Sequence, residues 1–158
     1  MEQLKAASIC IRLYRNRLAG RIRSIEMVRA VASSGSIAAW AWWQDYPWLW
    51  GGIIAAAQVV DATKHVFPLA RLHRSASDLT VTLEFLFIDA QLEWEKIYTG
   101  RVSDVTIMDR CAKLRKLQLE AERKHFPEGF APDAALIELA TQEAHDYFLL
   151  TYSEEPTR

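Results

Sequence analysis

Residues 40–50 read Trp40-Ala41-Trp42-Trp43-Gln44-Asp45-Tyr46-Pro47-Trp48-Leu49-Trp50, and five of the chain's six tryptophans fall among them. The polar turn Gln44-Asp45-Tyr46-Pro47 divides them. On either side the sequence becomes small and apolar, over 30–39 before it and 51–60 after it. Indole and phenol rings collect where a membrane helix meets the lipid headgroups, because the ring is apolar and its N–H or O–H needs a partner. Pro47 blocks continuation of one helix and suits the first turn of the next. The stretch therefore predicts the outer tip of a transmembrane helical hairpin. Trp40, Trp42, Trp43, Trp48 and Trp50 would form its interfacial collar.

The distribution of charge supports that orientation. The 158 residues sum to only −1, and 51% are hydrophobic, so only part of the chain could lie in lipid. Within residues 1–29, seven bases stand against Glu2 and Glu26; Lys64, Arg71 and Arg74 follow the hairpin, and its tip carries only Asp45. Cationic flanks on both ends place both termini in the cytoplasm. Residues 78–158 then carry sixteen acids against nine bases. Cys10 and Cys111 have no C-x-x-C spacing and read as reduced thiols. The start of the chain shows no signal peptide.

The apolar runs 30–43 and 48–60 are short for a bilayer, which takes about 20 helical residues to cross. Spanning would extend the helices to roughly residues 25 and 66 and draw Arg29 and Asp61 inside, at matched depth. Opposite charges so placed either pair or reach back to the interface. Gln58, Asp61 and His65 share one face of the second helix, and Ser33, Ser36 and Trp40 one face of the first. Gly51 with Ala55 and Gly52 with Ala56 allow close helix approach. Gln58, Asp61, His65, Arg29, Ser33 and Ser36 are thus the pore or gate candidates. A single hairpin cannot enclose a pore, so conduction needs several copies. Plain helix–helix hydrogen bonding is the alternative use of these groups.

The rest of the chain reads as helix. Residues 3–29 form a basic amphipathic helix, suited to an anionic lipid surface or to a bundle. Pro68 should kink the chain. Leu72, Ala76, Leu79, Leu83, Leu86, Ala90, Trp94 and Ile97 then make a near-heptad seam along a long helix over 69–99. Ser75–Asp78 resembles a capping box, although continuity is favoured. Gly100 stops that helix. A third helix over 104–125 has Ile107, Cys111, Leu114, Leu117 and Ala121 on its apolar side. Its other side carries Arg110, Lys113, Arg115, Lys116, Arg123 and Lys124. After a loop at 126–132 a last helix over 133–151 packs through Leu136, Leu139 or Ala140, Tyr147 and Leu150. The fold class is all-α. Residues 1–29 form a basic juxtamembrane helix, 30–67 the hairpin and 68–158 a cytoplasmic, coiled-coil-like helical bundle, in an oligomer.

No catalytic motif emerges. Glu122-Arg123-Lys124-His125 is one E-x-x-H, where a di-iron bundle needs two with further carboxylates. There is no phosphate loop, no nucleophile elbow and no zinc spacing. The expectation is a non-enzyme without metal or cofactor. The cations of the third helix are the candidates for holding a phosphate-bearing ligand, since Arg and Lys pair readily with phosphates; a solvated helix face is the alternative.

A basic helix, a short Trp-capped hairpin, a long helix leaving the membrane and a helical tail, over roughly residues 5–125, together resemble the SLATT family. That family comprises two-transmembrane effectors that accompany nucleotidyltransferases and nucleotide sensors in bacterial antiphage defence. The resemblance implies a homo-oligomer, such as a tetramer, in the bacterial inner membrane. It also implies gating by a nucleotide second messenger or oligonucleotide, with a partner nucleotidyltransferase, followed by ion leak, depolarisation and growth arrest. No ligand site transfers residue by residue. A non-conducting membrane scaffold and a soluble, partner-binding helical bundle are the other readings of the same sequence.

Overall fold

A computed structural model describes residues 1–34, 48, 51–52, 55–56, 58–59, 62, 68–100 and 102–152, with 31–34 described for backbone alone. Among these the chain is all-helical. The principal helices are α1 (Glu2–Ser34), α2 (Leu69–Thr99), α3 (Asp104–His125) and α4 (Ala134–Tyr152). The chain divides into two units, Met1–Asn16 with Arg74–Arg158, and Arg17–His73.

In the first unit four helical segments share a core. Ile9 and Cys10 of α1 are buried with Leu136, Ala140 and Ala144 of α4, and Ala6, Leu13, Tyr14 and Phe130 pack against them. Three of these five core positions, Cys10, Ala140 and Ala144, are no larger than Ala or Cys, a size that permits close packing of the two helices. Arg12 donates to Glu143 at 2.8 Å across 131 residues of sequence. Pairs this exposed contribute little by themselves, so the apolar contact rather than the charge holds α1 to α4.

α2 is one unbroken helix of 31 residues. It begins directly after Pro68, whose carbonyl accepts from the Leu72 N–H at 2.9 Å; a kink before Pro68 lies outside the described residues. Ser75–Asp78 is mid-helix, so the capping-box signal there is not used. The seam holds at Ala76, Leu79, Leu83 and Ala90, all buried, with Leu72, Leu86 and Ile97 half-buried; Phe87, beside the expected line, is buried as well, and Trp94 is exposed. Phe87 is drawn inward by aromatic partners, meeting Tyr147 and Phe148 edge-on at 6.0 and 6.3 Å. The Lys5 ammonium lies 4.5 Å from the Phe87 ring and 4.1 Å from that of Tyr147. Such contacts favour a cation held over two π faces.

Gly100 closes α2. Its N–H bonds the Lys96 carbonyl at 3.0 Å, and a Cβ built there would sit 2.8 Å from that same oxygen. Ser103 then caps α3 from an extended conformation, its hydroxyl accepting from the Thr106 N–H at 3.4 Å. Capping of this kind satisfies one of the orphan donors of the first turn. The α3 register differs from expectation. Ala121 is buried and Ile107 and Leu114 are half-buried, but Cys111 and Leu117 are exposed, and Arg110 and Gln118 turn inward in their place. On α4, Leu136 and Ala140 are buried as expected, whereas Leu139 and Leu150 are exposed and Ala144 is the third core contact.

In the second unit, Arg17–His73, α1 continues to Ser34, and Trp48, Gly51, Gly52, Ala55, Ala56, Gln58, Val59 and Ala62 are helical. Among the described residues no helix is long and apolar enough to cross a membrane. Most of the hairpin expected over 30–67 lies outside them.

Candidate functional site

The cationic side of α3 is the one expected site whose residues are all described. Lys113, Arg115, Lys116, Arg123 and Lys124 are exposed. At 100° per residue, Lys116 and Arg123 fall on nearly one line of the helix, and Lys113 and Lys124 on a second line beside it. Lys116 lies 4.0 Å from Glu120, one turn further on. The arrangement can hold an anion by charge; it has no groove or buried donor to set an orientation. Arg110 does not belong with the others. Its guanidinium turns toward α2, 2.6 Å from the Glu93 carboxylate.

Glu93 is the hub of that contact. It also accepts from Lys96 at 3.0 Å. The Lys96 hydrogen bond, with the charges of Arg110, Lys96 and Lys113, holds the Glu93 carboxyl below the usual carboxylate range against a smaller opposing effect of desolvation. No spacing in the sequence signals this pair, since its partners come from different helices.

A cavity of about 200 Å³ lies among the four helices of the first unit. Ala7, Cys10 and Ile11 of α1, Leu79 and Leu83 of α2 and Ala140 of α4 line its apolar wall, and Glu122 of α3 contributes a carboxylate. Gln118 donates to Glu122 at 2.9 Å, which satisfies one of its oxygens. Burial pushes the Cys10 thiol up, so it stays protonated and inert. Glu122 therefore borders a packing defect, and the E-x-x-H reading finds no companions: among the described residues no group of His, Cys, Asp or Glu could hold a metal ion.

Of the pore and gate candidates, Gln58 is helical and exposed, Arg29 is exposed on α1, and Ser33 lies in the last turn of α1. Ser36, Asp61 and His65 lie outside the described residues, and with them the pairing of Arg29 with Asp61. Trp48 is helical and 73% exposed; Trp40, Trp42, Trp43 and Trp50 lie outside the described residues.

Two features escaped the sequence reading. One is the Lys5 ammonium, which lies over both the Phe87 and the Tyr147 ring. The other is a second apolar line on α2, Val81, Phe85, Ile88 and Leu92, which is exposed. Its gaps of four, three and four are legible in the sequence beside the seam. Among known proteins, no family model, no curated protein and no solved structure matches the chain.

Proposed function

We propose that the chain is a pore-forming effector of the bacterial inner membrane, an ion channel of an antiphage defence system. In this reading several copies bring their hairpins together, both termini stay cytoplasmic, and a nucleotide or oligonucleotide signal opens the pore. The carrying observation is the sequence pattern itself, five tryptophans about a polar turn with cationic flanks on both sides. Aromatic collars and inner-leaflet cations are the two anchors a spanning hairpin requires. The resemblance to SLATT effectors supplies the gating and the defence role.

α2 gives the reading its mechanics. A helix of 31 residues leads from Pro68 into a packed unit, so a change in that unit can be carried along a stiff element. Lys113, Arg115, Lys116, Arg123 and Lys124 are the groups to which a phosphate-bearing messenger would bind. A ligand there opens the channel only by preferring the open arrangement. Gln58, Asp61 and His65, with Ser33 and Ser36 facing them, would line the pathway, and His65 would make conductance sensitive to pH near neutrality.

A bundle that binds a partner without conducting is the second reading, favoured by the apolar face that α2 leaves exposed. Ion flux from liposomes containing the purified chain, with and without candidate nucleotides, separates the two. Flux that Asp61→Asn alters in cation preference supports the pore. Tight liposomes under every condition remove it.

A further inference from the structure

We infer that copies of this chain join head to tail, an acid-rimmed apolar stripe on α2 of one copy seating against a base-rimmed apolar stripe on α3 of the next. The inference rests on the oligomer of the reading above, but not on the hairpin's crossing a bilayer.

α2 is apolar on two opposite faces. Leu79, Leu83, Phe87 and Ala90 form the packed one. Val81, Phe85, Ile88 and Leu92 lie about half a turn round from it and are 49%, 65%, 49% and 50% exposed. Scattered exposed apolar residues need no explanation, but four in a heptad line do. A helix apolar on both faces is one built to be covered on both. α3 repeats the pattern more briefly. Val105, Met108 and Leu119 are 69%, 71% and 57% exposed, and they fall on one line with exposed Ala112. That line runs opposite the inward side of Arg110, Leu114 and Ala121. Both stripes belong to the same unit.

Charge decides which stripe meets which. Between residues 78 and 95, α2 carries the exposed acids Asp78, Glu84, Asp89 and Glu95 with no base; Glu93 is already paired with Arg110 of its own copy. Beside its stripe α3 carries Arg115, Lys116 and Arg123 against Asp109 and Glu120, and over its whole length six bases against four acids. Pairing α2 with its own copy would set Glu84, Asp89 and Glu95 against their equivalents, and pairing α3 with α3 would oppose Lys116 and Arg123. Like charges across an interface suppress such partners. Pairing α2 with α3 joins apolar to apolar and acid to base. An interface between two different patches of one chain repeats from copy to copy, and closes into a ring when the rotation allows. That is also the arrangement a central pathway needs.

The test uses the full chain in mild detergent, on a Cys111→Ser background, since Cys10 is buried. One form carries Ile88→Cys, the other carries Ala112→Cys and a tag that changes its size, and the two are co-expressed and oxidised. The expected product is the mixed disulfide, in about tenfold excess over either like-with-like product, as charge selection of this kind implies. Glu84→Lys with Asp89→Lys on the first form should reduce it about tenfold, and Lys116→Glu with Arg123→Glu on the second should restore it. All six positions are exposed, so unchanged helicity by circular dichroism is expected of each form. A dominant like-with-like product, no cross-link at all, or a yield indifferent to the charge reversals each overturns the inference. Flux from liposomes reconstituted with the pair that carries no charge reversal separates the two ideas: cross-link without flux removes the pore and keeps the interface, and flux without cross-link does the reverse.

Discussion

Leu83→Ala and Phe85→Ala, two positions apart on α2, should differ in cost by several-fold. Leu83 is 1% exposed and Phe85 65%. Truncating Leu83 removes about three carbons, worth roughly 2.4 kcal/mol at about 0.8 kcal/mol each. The space it leaves joins the existing cavity that Leu83 lines, so the walls have little to collapse onto, and the total reaches about 3 kcal/mol. For a chain of this size that lowers the melting temperature by roughly 6–12 °C. Phe85→Ala changes a side chain already in solvent and should stay within about 0.5 kcal/mol. Thermal unfolding followed by circular dichroism, on dilute full-length chain, reads both. Equal losses from the two variants would refute the assignment of inner and outer faces. A Phe85→Ala loss that grows with protein concentration instead reports association through the outer stripe, because a partner that binds only the folded chain stabilises it by mass action.

Further measurements reach other parts of the molecule. Cys111 is exposed and should react with a maleimide in the folded chain at neutral pH, whereas Cys10, buried and held as the thiol, should react only after denaturation; prompt labelling of both would place Cys10 wrongly. Glu93→Gln removes a carboxylate whose folded pKa lies below its unfolded value. Its stabilising effect is therefore present above the unfolded carboxylate pKa and is lost as pH falls through the folded one. The stability gap between wild type and Glu93→Gln should narrow on acidification in that window, and a gap constant with pH would show that the Arg110 and Lys96 contacts do not stabilise the fold. Gly100→Ala drives a methyl group against the Lys96 carbonyl, 2.8 Å away, and should cost about 1–3 kcal/mol in the same melts. A neutral result would mean that α2 can end one residue earlier without penalty.

Helix boundaries were legible where a residue forces them. Gly100 ends α2 because nothing with a Cβ fits there, and Ser103 starts α3 because its hydroxyl reaches the Thr106 N–H. Both ends were expected within a residue of where they fall. The facing of α3 was not legible. Its sequence offers apolar residues on two sides, and periodicity ranks them equally. Arg110 turns inward because Glu93 waits on α2, which is information no local window contains. The same limit explains Phe87, which is more deeply buried than Leu86 because Tyr147 and Phe148 come from about sixty residues downstream. It explains α4 too, where Ala144 outranks Leu150 because α1 approaches closely enough to need a small residue. The α3 cations were legible from charge alone, and two of the six are in ion pairs, Arg110 with Glu93 of α2 and Lys116 with Glu120 of its own helix.

The grip of α4 on the first turns of α1 has a consequence for how the chain is made. Arg12 meets Glu143 across 131 residues, and at a translation rate of about 5–20 residues per second that interval is on the order of ten seconds. Throughout it Ile9 and Cys10 have no α4 to cover them, and the tryptophan-rich stretch, which ends at residue 50, is made well before α4. Under the proposed pore reading, the hairpin would meet the membrane before the unit proposed to control it exists. Any gate built from that unit is fitted to the door after the door has been hung.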